Sequence, residues 1–331
     1  MRRAYVWLSI AVGLALFGVF VATADWRGAL ELLGRANPEY LTLYAGATVL
    51  ILFLHGVRWL VIAHSRGIQV SLVQAFGYRL ARFAVSFVTP GPRVGGEAVG
   101  AGLVTRHSNG KRRVSYGEAL STMAIDRMVE LQTFAFLFFT GVLLLAALGD
   151  ISEAVKIPLF LFSSLLLLVI VMMVRGAMRG KIVLTKLLRY FVKRNSFLRE
   201  LDRFEHTLIT FYRSQPRDFF NAHAVAAVAW LVSLIEYYAI IRALGFEASL
   251  YIIFIVYSFI GFAYALPVPL ALGTLETAQA AAFSLLGLPP IGGVLLAFIT
   301  RIRDLSISAV GFIILLYHGI LPRPPQKTIR T

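Results

Sequence analysis

The sequence predicts an all-α polytopic membrane protein, and three observations carry that prediction. Of 331 residues, 58% are hydrophobic and 15% charged, against roughly 45–50% and about 25% in a soluble globular domain. Several near-continuous apolar stretches reach the ~20 residues that a helix needs to cross a ~30 Å hydrocarbon core. Two further apolar stretches are interrupted by clusters of proline and glycine, residues that end helices. Together these exclude a soluble enzyme, a disordered chain and a fibrous one. They also leave no room for a large catalytic domain outside the membrane.

About six full spans are expected, over 4–24, 41–63, 123–148, 157–174, 219–243 and 291–318. The first follows Arg2 and Arg3 and could mimic a signal peptide, but it is long and has no small-residue cleavage site before Asp25. It therefore reads as a retained span. Orientation follows from the cations. Arg66, Arg79, Arg82, Arg93, Arg106, Lys111, Arg112 and Arg113 follow the second span, and Arg175, Arg179, Lys181, Lys186 and Arg189 begin a longer basic run after the fourth. Both links are expected in the cytoplasm. The links after the first and third spans hold Asp25, Glu31 and Glu39, then Asp150 and Glu153, so they face outward and both termini come out cytoplasmic. The excess of 32 Lys and Arg over 17 Asp and Glu, a net charge of +15, is read as loops facing anionic headgroups and not as a nucleic-acid site.

The first broken stretch, 72–104, is split by Thr89-Pro90-Gly91-Pro92-Arg93-Val94-Gly95-Gly96-Glu97. The second, 250–288, is split by Leu266-Pro267-Val268-Pro269-Leu270-Ala271-Leu272-Gly273-Thr274-Leu275-Glu276. Irregular backbone at membrane depth is tolerated only inside protein or beside a water-filled cavity, so each is drawn as a re-entrant hairpin of two half-helices. Six spans and two hairpins return the basic tail to the cytoplasm; eight full spans would do so too. Both breaks share Pro-x-Pro, then Gly, then Glu, and three spans separate them, which puts the halves in opposite orientation. That is the inverted-repeat plan of transporters. The whole of 1–331 then reads as one transmembrane domain, with a first repeat over about 4–148, a second over about 157–318 and a basic tail at 319–331. A basic connector at about 178–217, inside the second repeat, lies on the cytoplasmic lipid surface or in solvent.

Charges inside the membrane must face protein or a cavity. Glu97 and Glu276 are the leading candidates, each in the first turn of a half-helix beside a Gly-rich break, where free N–H groups also favour anions. A carboxylate that merely caps the break is the plainer alternative. Arg93 in the first break offers a fork to a phosphate. Asp126, Arg127 and Glu130 lie within about one turn of the third span, so that Arg127 and Asp126 are each expected beside Glu130, and Arg301 with Asp304 repeats that spacing in the last span. Structural ion pairs, a substrate phosphate or a proton path would each account for them. His55, Arg58 and His64 read as groups reaching the interface. With no cysteine and six scattered histidines, no metal or cofactor is expected, and no nucleophile elbow, P-loop or dinucleotide fingerprint is present.

These motifs resemble the lysylphosphatidylglycerol-synthase transmembrane family, also called flippase-like domain proteins. The likeness rests on the Thr89–Glu97 run, on Ile125-Asp126-Arg127, on Pro267-Val268-Pro269 with Gly273 and Glu276, and on Arg301, and it spans nearly the whole chain. The second motif departs from the family's usual Pro-Gly-Gly-x-Gly, having Leu270-Ala271-Leu272 before Gly273. The resemblance implies lipid translocation in a bacterial or archaeal cytoplasmic membrane, with a phospholipid or an isoprenoid- or hopanoid-type lipid as substrate. Its path would be lined by Pro90, Pro92, Arg93, Gly95, Gly96 and Glu97 at the first break and Pro267, Pro269, Gly273 and Glu276 at the second, with Asp126, Arg127, Glu130, Arg301 and Asp304 beside them. Transport would be passive or coupled to an ion gradient, protons being the simplest. Two other readings stay open: an enzyme, or enzyme subunit, modifying a lipid-linked sugar or phosphate with carboxylates near Asp126 as acid and base, and a scaffold that gathers lipid-synthesis partners.

Overall fold

The computed structural model describes residues 26–89, 95–107, 113–148, 153–180, 185, 202, 205, 206, 209–266 and 268–318, and among them there is helix and no strand. Helix α1 (Trp26–Gly34) leads into α2 (Pro38–Ser65). Asn37 starts α2: its side-chain oxygen accepts from the Glu39 N–H at 2.8 Å, and Pro38 supplies a helical φ at the first position. Helix α3 (Leu72–Val88) opens with a reciprocal cap in which the Ser71 hydroxyl accepts from Gln74 N–H and the Gln74 side chain accepts from Ser71 N–H. There follow α4 (Gly95–His107), α5 (Tyr116–Leu148), α6 (Glu153–Met178), α7 (Pro216–Ala243) and α8 (Leu250–Ala265). A 3₁₀ turn at Pro269–Ala271 precedes α9 (Thr274–Leu285) and α10 (Pro290–Tyr317).

Four helices, over Pro38–Ser65, Tyr116–Leu144, Lys156–Met178 and Pro216–Ala243, are long and apolar enough to cross a membrane. They carry the second to fifth expected spans. Helix α10 matches α2 in length at 28 residues but holds Arg301, Arg303 and Asp304 near its middle. The expected span at 4–24, most of the connector and the tail lie outside the described residues. Helix α5 begins well before the apolar run that announced it. Ser115 accepts from the Glu118 N–H at 3.3 Å, and the Ser121 and Thr122 hydroxyls donate to carbonyls three residues back, both at 2.7 Å. Polar side chains satisfied in this way extend a helix that hydropathy alone would start later.

The helices flanking both breaks end and begin beside the prolines and glycines, with residues 90–94 and 267 outside the described residues. The chain leaves α3 at Thr89 and resumes helix at Gly95; it leaves α8 at Leu266 and resumes at Thr274. Helices α3 and α8 have 17 and 16 residues, α4 and α9 have 13 and 12. At about 1.5 Å per residue each falls short of a ~30 Å core.

Helix α7 lies along α2, α10 packs on α3 and α9, and α5 sits against α4 and α6. The approach of α10 to α3 depends on Gly311, where an added Cβ would overlap the Leu80 carbonyl. A large apolar core gathers Tyr44, Phe138, Tyr237, Phe254 and Phe283, with Phe138 stacked between Phe134 and Phe254 at 5.3 and 5.5 Å. Another forms around Trp59, Tyr78 and Met123. The opposite surface is apolar as well: Phe160, Leu161, Leu165 and Leu168 of α6 stand exposed.

Candidate functional site: a buried ring of arginines and carboxylates

Three arginines and three carboxylates from four helices close an alternating ring. Asp126 accepts from Arg58 at 2.7 Å, Arg58 reaches Glu130 at 3.0 Å, and Glu130 meets Arg127 at 3.1 Å. Arg127 continues to Glu97 at 2.9 Å, Glu97 lies 3.5 Å from Arg82, and Arg82 returns to Asp126 at 3.2 Å. Arg58, Arg82, Glu97 and Asp126 are buried. Equal numbers of the two signs, each ion touching two of the other, let these groups leave water together. The helices bring them to one place because α2 supplies Arg58, α3 Arg82, the start of α4 Glu97, and one face of α5 the other three. Arg127 and Glu130, three residues apart on α5, pair as expected; Asp126 and Glu130 do not touch directly but share Arg58. Arg58, read from sequence as reaching the interface, is instead among the most completely buried side chains. Its partners on α5 lie 68 and 72 residues away, and that separation hid them.

The second break has its own charge cluster. Arg301 donates to Glu276 at 2.8 and 2.5 Å and to the carbonyls of Leu270 and Ala271 at 2.8 and 3.3 Å. The 301/304 spacing does not produce a direct pair. Asp304 is taken by Arg303 at 2.9 Å and by the Tyr264 hydroxyl, and Arg303 also reaches Glu236 at 2.9 Å. Thr48 donates to the same Glu236. Pro269 opens the 3₁₀ turn, and Gly273, at φ 73°, precedes α9. Among the described residues, Leu270 and Ala271 are the non-glycine positions with positive φ, 58° and 48°. In the first break Gly95 and Gly96 begin α4, and the Gly96 N–H donates to the Ser86 hydroxyl at 2.9 Å. Pro90, Pro92, Arg93 and Pro267 lie outside the described residues.

The clusters occupy matching positions in their segments. Glu97 and Glu276 are each the third residue of a short helix after a break, and Arg127 and Arg301 are each the twelfth of the long helix that follows. Glu130 and Asp304 match in the same way, as do Arg58 of α2 and Glu236 of α7. One Oε of Glu97 and one of Glu276 are buried without a hydrogen-bond partner.

Between the clusters lies space. A cavity of about 670 Å³ is lined by His55, Arg58, Glu97, Arg127, Glu130 and Tyr257 among others, and a second of about 360 Å³ by His55, Arg79, Arg82, Glu236, Tyr264, Arg303 and Asp304 among others. They share His55, Glu97, Arg127 and Glu130 and so adjoin, a chamber with charged groups set in a largely apolar wall. Trp230 belongs both to this chamber and to an apolar cleft of about 320 Å³ between α5, α7 and α8. Sequence reasoning missed the parts played by Arg79, Arg82, Arg303 and Tyr264. The available signal was a pair of arginines three apart inside an apolar run that ends at a break.

A family model described as the lysylphosphatidylglycerol synthase TM region matches residues 6–311. The chain belongs to that family. It is also similar to archaeal proteins named UPF0104 membrane proteins. It is 24% identical over 326 residues to one from Methanothermobacter thermautotrophicus, covering 93% of each chain. It is 20% identical over 298 residues to another from Methanocaldococcus jannaschii, covering 87% of each. A third, from Pyrococcus horikoshii, is 23% identical over 299 residues, covering 85% of this chain and 87% of its relative. No solved structure matches. Membership places the chain among multi-pass membrane proteins related to lipid handling.

Proposed function

We propose that the protein is a lipid translocator of the cytoplasmic membrane, moving the headgroup of a phospholipid or isoprenoid-type amphiphile through the chamber past its charged groups while its chains stay in an apolar environment. The observation that carries this is a chamber with buried, mutually neutralised charges in its wall, set beside two helix breaks and bordered at Trp230 by an apolar cleft. Ionisable groups at membrane depth mark substrate pathways far more often than they add stability. In this reading the broken segments are re-entrant hairpins, and the matching positions of the two clusters are those of an inverted repeat whose site lies between the halves. Both termini face the cytoplasm.

The enzyme reading is less well supported. It asks carboxylates near Asp126 to act as acid and base, yet the two oxygens of Asp126 are engaged by Arg58 and Arg82, and Glu130 accepts from Arg58 and Arg127. Leaflet exchange by the purified protein in proteoliposomes tests the proposal, with reporter-labelled anionic, zwitterionic and isoprenoid lipids as probes. Exchange of one class is expected in the wild type. Glu97→Gln weakens the ring at the chamber wall and is expected to slow exchange at least about tenfold, the loss of a charged hydrogen bond being about 1.5–3 kcal/mol. Wild-type exchange rates in that variant would remove the ring from the mechanism, and product formation from a lipid-linked sugar in detergent micelles, where no leaflets exist, would favour the enzyme.

A further inference from the structure

We propose that Arg79, together with His55, binds the phosphate group of the transported amphiphile. Arg79 stands on α3 three residues before Arg82 and faces the same chamber. Unlike Arg58, Arg82, Arg127, Arg301 and Arg303, it has no carboxylate oxygen within 4.0 Å among the described residues, and its Nε is buried without a hydrogen-bond partner. Glu130 acts on it at longer range, but that carboxylate already accepts from Arg58 and Arg127. His55, one helix away on α2, lines the same cavity and also has a buried ring nitrogen, Nδ1, with no partner. A guanidinium at membrane depth with no carboxylate in reach among the described residues is costly, and a bound anion would compensate it. The guanidinium fork matches two phosphate oxygens, and the imidazole supplies a further donor from the neighbouring wall.

The same chamber indicates where the phosphate comes from. Its larger lobe meets the apolar cleft at Trp230, and that cleft is walled by Leu137, Leu144, Leu234 and Phe254. An apolar cleft thus lies beside the larger lobe for an attached chain, which free phosphate does not require. The assignment of a lipid source rests on the translocation reading, whereas the phosphate site itself does not.

The full chain in phosphate-free maltoside micelles provides the test, with brominated phosphatidylglycerol, brominated diacylglycerol of the same chains and inorganic phosphate as probes and tryptophan quenching as the readout. The wild type is expected to prefer phosphatidylglycerol over diacylglycerol about tenfold or more, as one or two charge-assisted hydrogen bonds imply. Arg79→Gln should bring the two affinities together without changing that for diacylglycerol, and Arg79→Lys should keep part of the preference as a point charge. An unchanged preference in Arg79→Gln overturns the proposal; if that variant does not fold, an unchanged preference in Arg79→Lys overturns it. Displacement of phosphatidylglycerol by millimolar inorganic phosphate would overturn the lipid source and leave a free-phosphate site. Leaflet exchange, measured separately in proteoliposomes, keeps the two ideas apart. An Arg79-dependent preference without exchange retains the site and removes translocation, and exchange with an Arg79-independent preference does the reverse.

Discussion

Arg301 shows how much one side chain can hold in place. Its guanidinium meets Glu276, which is fully buried, and caps the carbonyls of Leu270 and Ala271, both in the left-handed region that L-residues enter at a cost of about 1–2 kcal/mol each. Glycine at either position would enter that region without the cost. Removing one partner of a buried pair leaves the other charge uncompensated. Arg301→Met is therefore expected to destabilise the protein by about 3–5 kcal/mol, and Glu276→Gln added to it should recover part of the loss. Thermal unfolding in detergent of the single and double variants measures both, and a single variant as stable as the wild type would show that Arg301 does not support the break. Arg79 is the opposite case at this scale, a cation with no carboxylate oxygen within 4.0 Å among the described residues.

At the scale of elements, the site depends on how closely helices approach. Helix α10 crosses α3 where Gly311 lies against the Leu80 carbonyl, and this contact helps keep Arg82 on α3 within reach of α5 and Arg303 on α10 within reach of α7. Gly311→Ala is expected to cost about 1–3 kcal/mol because backbone must move, even though alanine favours an isolated helix by about 1 kcal/mol. Unfolding midpoints give the sign, and a stabilised Gly311→Ala would mean that the helices do not meet there. The helix starts rest on local chemistry that the sequence reading did not use: Asn37, Ser71 and Ser249 each accept from the helix they begin. The breaks were legible, since proline and glycine act on their own neighbourhood. The start of α5 was not, because Ser115, Ser121 and Thr122 turn their polar groups inward on their own backbone, which hydropathy does not register.

For the molecule as a whole, the absence of cysteine makes topology directly testable with single substitutions and a membrane-impermeant thiol reagent. With both termini cytoplasmic and 250–288 re-entrant, Glu247→Cys and Leu288→Cys should label from outside, and Val268→Cys from neither side in sealed vesicles. Rapid labelling of Val268→Cys from the cytoplasmic side would replace the hairpin with two full crossings. The same arrangement explains which charges sequence reasoning could pair. Arg127 with Glu130 follows from helical spacing alone, while Arg58 with Asp126, Arg82 with Glu97 and Arg303 with Glu236 join residues from different helices. Spacing along one helix carries no information about those contacts.

What the sequence determined by itself are the properties set by composition and near neighbours. These are the apolar helical class, four of the expected spans, the two breaks, and the presence of Glu97 and Glu276 at the helix starts beyond them, because hydropathy, capping and proline chemistry act over a few residues. Only the tertiary structure decided that three arginines and three carboxylates close into a ring, that Arg301 braces the second break, and that Arg79 faces the chamber with no carboxylate within reach among the described residues. Each of these depends on the approach of helices far apart in the chain, and a charge becomes paired or unpaired only once the low-dielectric interior has brought its neighbours to within a hydrogen bond.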